Sequence, residues 1–364
     1  MKLMQRFRGY PYWAQVVVTL FALSVMVIVW SSCGIGPRGP APQAIKVSLD
    51  LQNTDGVVRS LAFSSTENWL AAGHESGVIT LRDAKTGAVL EKLDPHRGKL
   101  LAMAVSTNGA FLAGAYEDSS IVLWDASKKE VSRVLSVGKS HALDLTFNSD
   151  SRLLASSGDD SIVRIWNPVS GEQLRTLEGH TAKVNAAAFA PVGRLIASGS
   201  DDQTIRIWNF DTGALVKTIS FNLTPILALS FSPDGRFLAS AGTDSSKRAP
   251  SKASSHLEVL DTRNWKEAHK FPWYVSEASV RCLAFSPDSK LLAIAIGLTA
   301  EAWDTDRWRE SRRLYPNSNY MQVVALAFSP HGHLLVTAEA NGGIRFWQLL
   351  PSPSPGAPFQ LAKK

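Results

Sequence analysis

Tryptophan recurs in this chain at a fixed interval. Trp124, Trp166 and Trp208 are evenly spaced, at a period of 42. One period earlier the same slot is filled by Arg82, and later by Leu260, Trp303 and Trp347 at intervals of 52, 43 and 44. A period near 42 is the length of four short strands and their turns. A unit that small cannot bury its own apolar face, so it must stack on its neighbours. Each period repeats an inner pattern: a strand such as "LAFS", "LTFN", "AAFA" or "LSFS", then a turn such as "SPDGR", "SPDSK" or "SPHGH". A second apolar strand such as "LLASSG" or "FLASAG" follows. Gly, Asn and Asp between short β-rich runs are hairpin chemistry, because they reach positive φ at little steric cost. The strands read as near-continuous apolar runs because both faces of each small sheet are covered by adjacent sheets.

The residues Trp124-Asp125, Trp303-Asp304 and Gly179-His180, with the turns "SSGDD" and "SGSDD", carry a family resemblance. Over residues 44 to about 350 the chain resembles the WD-repeat family of β-propellers. The resemblance implies an all-β fold, a seven-bladed β-propeller. In that family the N-terminal strand, here "AIKVSLDL" (44–51), becomes the outer strand of the last blade and closes the ring. Closure removes the open sheet edge that a seven-blade arc would leave. Residues 351–364, "PSPSPGAPFQLAKK", read as a disordered Pro-rich tail.

Composition narrows the function classes. Of the residues, 45% are hydrophobic and 19% charged, which suits a chain with a sizeable core. The formal net charge is +6, but Lys2, Arg6 and Arg8 precede a hydrophobic segment and supply three of those charges. The remainder of about +3 is too mild to point to nucleic acid. The two cysteines give no disulfide framework: Cys282 reads as a small buried hydrophobe in "VRCLAF", and Cys33 lies on a Gly/Pro stretch.

Before the repeats, "WAQVVVTLFALSVMVIVW" (13–30) runs without a charge behind a basic end. It predicts one hydrophobic helix, with residues 1–33 serving as signal peptide or membrane anchor and 34–43 as a Gly/Pro linker. Ser31, Ser32 and Cys33 resemble the cleavage box of bacterial lipoproteins, in which the Cys is acylated and the preceding segment removed. Trp30 departs from that pattern, and an uncleaved signal anchor or plain secretion stays open. All three export the repeats from the cytoplasm, and the expected place is membrane-anchored and extracytoplasmic, in a bacterial cell envelope.

His, Asp and Ser at fixed spacing invite comparison with a hydrolytic triad. His180 and Asp202 precede Trp208 at the same spacings at which His96 and Asp118 precede Trp124. A triad would be single, with an exposed nucleophile, whereas this set recurs and ends on an indole. The family resemblance implies a structural chain from Asp to His to a strand hydroxyl, Ser198 in the repeat of Trp208, and on to the Trp N–H. The third blade keeps Asp160 and Trp166 but has Gly138 in the His slot, and blades five to seven lack the set. No phosphate-cradling Gly loop or metal-spaced cluster is present, so no metal or cofactor is expected.

In the family, the turns bearing these Asp residues and the loops entering each inner strand share one face, the top. Seven before each Trp slot stand Glu75, Glu117, Asp159 and Asp201, then Ala253, Ile296 and Ala340. Blade five carries an insertion with Lys247, Arg248 and Lys252, and neighbouring loops bring Trp273, Tyr274 and Tyr320. Aromatic and basic side chains together suit a protein hot spot or an anionic ligand. The expected function is a non-catalytic scaffold, a monomeric propeller tethered to the membrane that binds other proteins on its top face. The alternative is a propeller enzyme, or a glycan- or small-ligand-binding protein using the central funnel.

Overall fold

The computed structural model describes residues 46–51, 56–64, 69–220, 225–243, 255–271, 280–314 and 322–349, in which every regular element is a strand. Strand β1 (Lys46–Leu51) comes first. Blade one follows as β2 (Val58–Phe63), β3 (Trp69–His74), β4 (Ile79–Asp83) and β5 (Val89–Leu93). Blade two holds β6 (Leu100–Val105), β7 (Phe111–Tyr116), β8 (Ser120–Asp125) and β9 (Glu130–Ser136). Blade three holds β10 (Ala142–Phe147), β11 (Leu154–Gly158), β12 (Val163–Trp166) and β13 (Gln173–Leu177). In blade four these are β14 (Val184–Phe189), β15 (Leu195–Ser200), β16 (Thr204–Asn209) and β17 (Leu215–Ser220). Blade five has β18 (Ile226–Phe231), β19 (Phe237–Thr243), β20 (Ser255–Asp261) and β21 (Lys266–Lys270). Blade six has β22 (Val280–Phe285), β23 (Leu291–Ile296), β24 (Thr299–Asp304) and β25 (Arg309–Leu314). Only β26 (Val323–Phe328), β27 (Leu334–Glu339) and β28 (Ile344–Gln348) remain for blade seven.

Six sheets are therefore simple antiparallel meanders, and the seventh runs β1-β28-β27-β26. The chain is a seven-bladed propeller closed by its first strand. β1 is a full equivalent of the other outer strands. In blades one to six the pairing of third and outer strands shifts register at the Trp slot, as at Ile165/Trp166 and Ile207/Trp208. β1 shifts opposite Trp347, between Val47 and Leu49. Asp50 also reaches Arg345 at 2.9 Å, an ion pair spanning almost the whole chain.

The core divides among the described residues into seven apolar clusters, one between each pair of adjacent blades. The closing cluster joins Val58, Leu70 and Ala72 of blade one to Val336, Ala338 and Phe346 of blade seven, with Leu49 and Leu51 of β1 against it. Second strands such as Leu291–Ile296 are almost wholly buried, whereas outer strands such as Leu215–Ser220 are mostly exposed. The near-continuous apolar reading thus holds for the inner three strands of a blade and fails for the fourth, which has a neighbour on one edge only.

Every innermost strand carries a bulge at the same point: Val58/Ser60, Leu100/Ala102, Ala142/Asp144, Val184/Ala186, Ile226/Ala228, Val280/Cys282 and Val323/Ala325. A bulge adds local twist and bends the strand, here where seven strands converge on the axis. The axial channel they leave has a cavity of about 340 Å³ lined by residues of all seven innermost strands.

Candidate functional site

Blade four contains the polar chain in full. Trp208 Nε1 donates to Ser198 Oγ at 2.8 Å, Ser198 Oγ meets His180 Nε2 at 2.8 Å, and His180 Nδ1 meets Asp202 Oδ2 at 2.8 Å. The direction of the chain follows from its ends. The Asp202 carboxylate only accepts, so in the neutral ring Nδ1 carries the hydrogen and donates to it; Nε2 then accepts the Ser198 proton, and Ser198 accepts from the indole N–H. Burial holds the His180 pKa below the usual histidine range, against the pull of Asp202, and keeps the ring neutral. Burial pushes Asp202 upward, yet hydrogen bonds from Thr204, His180 and the Thr181 N–H outweigh it and hold the carboxylate ionised. Ser198 is fully buried. A nucleophile must meet its substrate, and this hydroxyl is enclosed by His180, Trp208 and the Arg206 carbonyl.

Blade two corrects the reading of His96, Asp118 and Trp124. His96 does not reach Asp118: its side chain is 85% exposed and pairs with Asp94 at 3.1 Å. Asp118 instead takes Arg97 at 2.8 Å and the Ser120 backbone N–H. The reason is the middle slot, where Gly114 stands in place of Ser198 and offers no hydroxyl. A Cβ there would lie 3.0 Å from the ring of Tyr116. Tyr116 is fully buried, packs edge-on against Trp124 and donates to the Gly77 carbonyl at 3.2 Å. Aromatic packing has replaced the polar chain, and Gly114 was the sequence signal.

Other blades keep fragments. Trp166 Nε1 donates to Ser156 Oγ at 2.9 Å, while Asp160, with no His, binds Ser140 and Arg164. In blade seven Trp347 Nε1 donates to Thr337 Oγ1 at 2.9 Å, so that blade retains one link of the set. In blade six the hydroxyl slot holds Ile294, and Trp303 Nε1 turns to Glu301 at 3.1 Å. Blade one uses an arrangement that the Trp spacing did not reveal: His74 Nε2 meets Thr80 Oγ1 at 3.0 Å, and Arg82, in the Trp slot, donates to the same oxygen at 3.3 Å. Each solution satisfies buried polar groups that are costly if left unpaired.

Glu75, Glu117, Asp159 and Asp201 occupy equivalent sites. Each backbone N–H bonds a carbonyl where the chain enters the innermost strand of the same blade, at Val57, Lys99, His141 and Lys183 respectively. They share one edge of the ring with the connections between second and third strands. Three are engaged within the protein. Glu75 binds Arg59 at 3.0 Å, Asp159 binds His141 Nδ1 at 2.8 Å, and Asp201 accepts from Asn185 Nδ2 at 2.7 Å. The hydrogen bond to Asp159 raises the His141 pKa above its usual value. Lys247, Arg248, Lys252, Trp273, Tyr274, Tyr320 and Cys33 lie outside the described residues. Cys282, read from sequence as buried, is half-buried and lines the axial channel. Among the described residues no three His, Cys, Asp or Glu side chains are placed to hold a metal ion.

The repeats match known sequence families. A model of the WD domain, G-beta repeat, matches residues 132–167, 171–209, 213–246, 265–304 and 310–348. The anaphase-promoting complex subunit 4 WD40 domain model matches 43–107. Matches that end at 167, 209, 304 and 348 close at the third strand of a blade, and the first begins in the outer strand of the blade before, the same one-strand offset that carries β1 to blade seven. No curated protein matches the chain. Five matches covering more than half of the chain, on seven four-stranded blades, establish that it belongs to the WD domain, G-beta repeat family.

Proposed function

We propose that this propeller is a non-catalytic scaffold, held at a membrane by residues 1–33 with its blades outside the cytoplasm, that docks partner proteins on its top edge. Propellers of this family generally bind other proteins. The observation that carries the top-edge reading is a coincidence of position. The strand ends joined by residues 244–254, 272–279 and 315–321 lie on the same edge as Glu75, Glu117, Asp159 and Asp201. Those three segments hold Lys247, Arg248, Lys252, Trp273, Tyr274 and Tyr320. Loops on a rigid frame are where binding residues concentrate, and aromatic and Arg side chains dominate binding hot spots. The engagement of Glu75, Asp159 and Asp201 within the ring shifts the docking role toward blades five to seven. The basic segment ahead of residues 13–30 supports the orientation, since positive charge stays in the cytoplasm.

Replacing Lys247, Arg248, Trp273 and Tyr274 by Ala is expected to weaken capture of partners from membrane extracts while leaving the melting temperature within about 2 °C. Unchanged capture would refute the docking assignment. Protease added to spheroplasts, whose outer envelope is opened and whose inner membrane is intact, is expected to cut the chain, and protection that ends only on lysis would refute the orientation. Mass spectrometry of the mature N-terminus reads acylation at Cys33.

A further inference from the structure

Seven equivalent positions ring the axial channel at the bulge: Ser60, Ala102, Asp144, Ala186, Ala228, Cys282 and Ala325. Six are small or weakly polar and one is a carboxylic acid. Asp144 lines the 340 Å³ cavity and also a second one of about 330 Å³ that continues between blades three, four and five. Since a water takes roughly 30 Å³ of liquid, the first cavity has the space of about ten waters.

The carboxyl is held but not neutralised. Asp144 Oδ1 accepts the Leu145 N–H at 2.9 Å, and Oδ2 accepts the Ala187 N–H of blade four at 2.9 Å. A carboxylate has about four lone-pair sites, so each oxygen keeps accepting capacity beyond this inter-blade link. The strands packed on β10 are β6, β7, β11 and β14, and none carries a charged residue. Arg59, the one basic side chain described on the cavity wall, is engaged with Glu75. Ser157, the partner of Asp144 across the β10–β11 ladder, is fully buried and its hydroxyl has no hydrogen-bond partner. The corresponding pairs in other blades include Ser60/Gly73, Ala102/Ala115 and Ala186/Gly199, so the polar pair of blade three stands apart from them.

We propose that Asp144 is the anchor of a ligand site in the axial channel for a compact organic cation carrying N–H donors, a guanidinium or primary ammonium group. Buried charge is ordinarily paired, and a donor cation would supply the missing countercharge and use the spare oxygen capacity. Such a ligand could arrive as a free small molecule or as the side chain of a docked polypeptide.

The test titrates the full chain with methylguanidinium, with its neutral isostere methylurea, and with N-acetyl-arginine methylamide, by calorimetry. Burial pushes the Asp144 carboxyl up to about 6, so methylguanidinium affinity is expected to fall about tenfold from pH 7.5 to pH 5 as the carboxyl protonates. Binding is expected to be lost in Asp144→Asn and kept in Glu130→Gln, on the exposed outer strand β9. If both cations bind, the channel admits a free cation; if only the arginine derivative binds, the source is a carried side chain. Either result supports the site. Equal binding of methylurea, pH-independent binding, or no binding of either cation to the unmodified chain would overturn it, whether or not the Asn variant folds.

Discussion

At Ser198 one hydroxyl joins the inner and outer halves of a blade. Replacing it with Ala leaves His180 Nε2 and Trp208 Nε1 buried without their partner, which is expected to cost about 1–3 kcal/mol. His96→Ala, at a solvent-exposed ring, is expected to stay within about 0.5 kcal/mol. Urea denaturation of the two variants reads the difference directly; equal losses would refute the distinction between the blades. Sequence spacing treats His96 and His180 alike because it records where residue types stand and not whether a hydroxyl links them. The residue ten before the Trp carries that information: Ser198, Ser156 and Thr337 bind the indole, and Gly114 cannot. Asp144 was equally visible, as an acid at a position elsewhere small, yet its meaning depends on a bulge register that only the folded sheet displays.

Glu301 links residue to element, since blade six uses it where others use a hydroxyl. Burial pushes its carboxyl up to about 7, against the Arg313 guanidinium 3.1 Å away. A folded-state pKa above the unfolded value means that the stabilising contribution is full at acid pH. It is lost as pH rises through about 7. Glu301→Gln keeps an acceptor for Trp303 and removes the charge. It is expected to melt like the unmodified protein at pH 4 and about 2 °C or more higher at pH 8. A lower melting temperature at pH 8 would show that the Arg313 pair outweighs burial. Strand existence and order were readable from period and turn chemistry. The exposure of the outer strands was not, because an outer strand's apolar residues, such as Val89, Leu90, Leu215 and Val216, look like core until the missing neighbour is seen.

The whole molecule depends on closure. Without β1, the edge of β28 is open, Leu49 and Leu51 leave the cluster between blades seven and one, and Arg345 loses Asp50. A chain of residues 52–364 is expected to be on the order of 5 kcal/mol less stable than 44–364 and to self-associate. Addition of a synthetic 44–52 peptide should reverse both effects. Identical melting of the two chains would contradict closure by β1. Seven blades, each packed on its neighbours, make a frame with loops at its two edges, and the polar chain of blade four ties that frame together. The claim that this frame works by docking on one edge is tested most directly by photo-crosslinking in intact cells. A crosslinking amino acid at Glu117, or at Tyr274 in the sequence between β21 and β22, is compared with one at Arg152 or Lys290, in turns of the opposite edge. Discrete adducts from the first pair and none from the second are the predicted result; adducts from Arg152 or Lys290 alone, or equally from both edges, would contradict it.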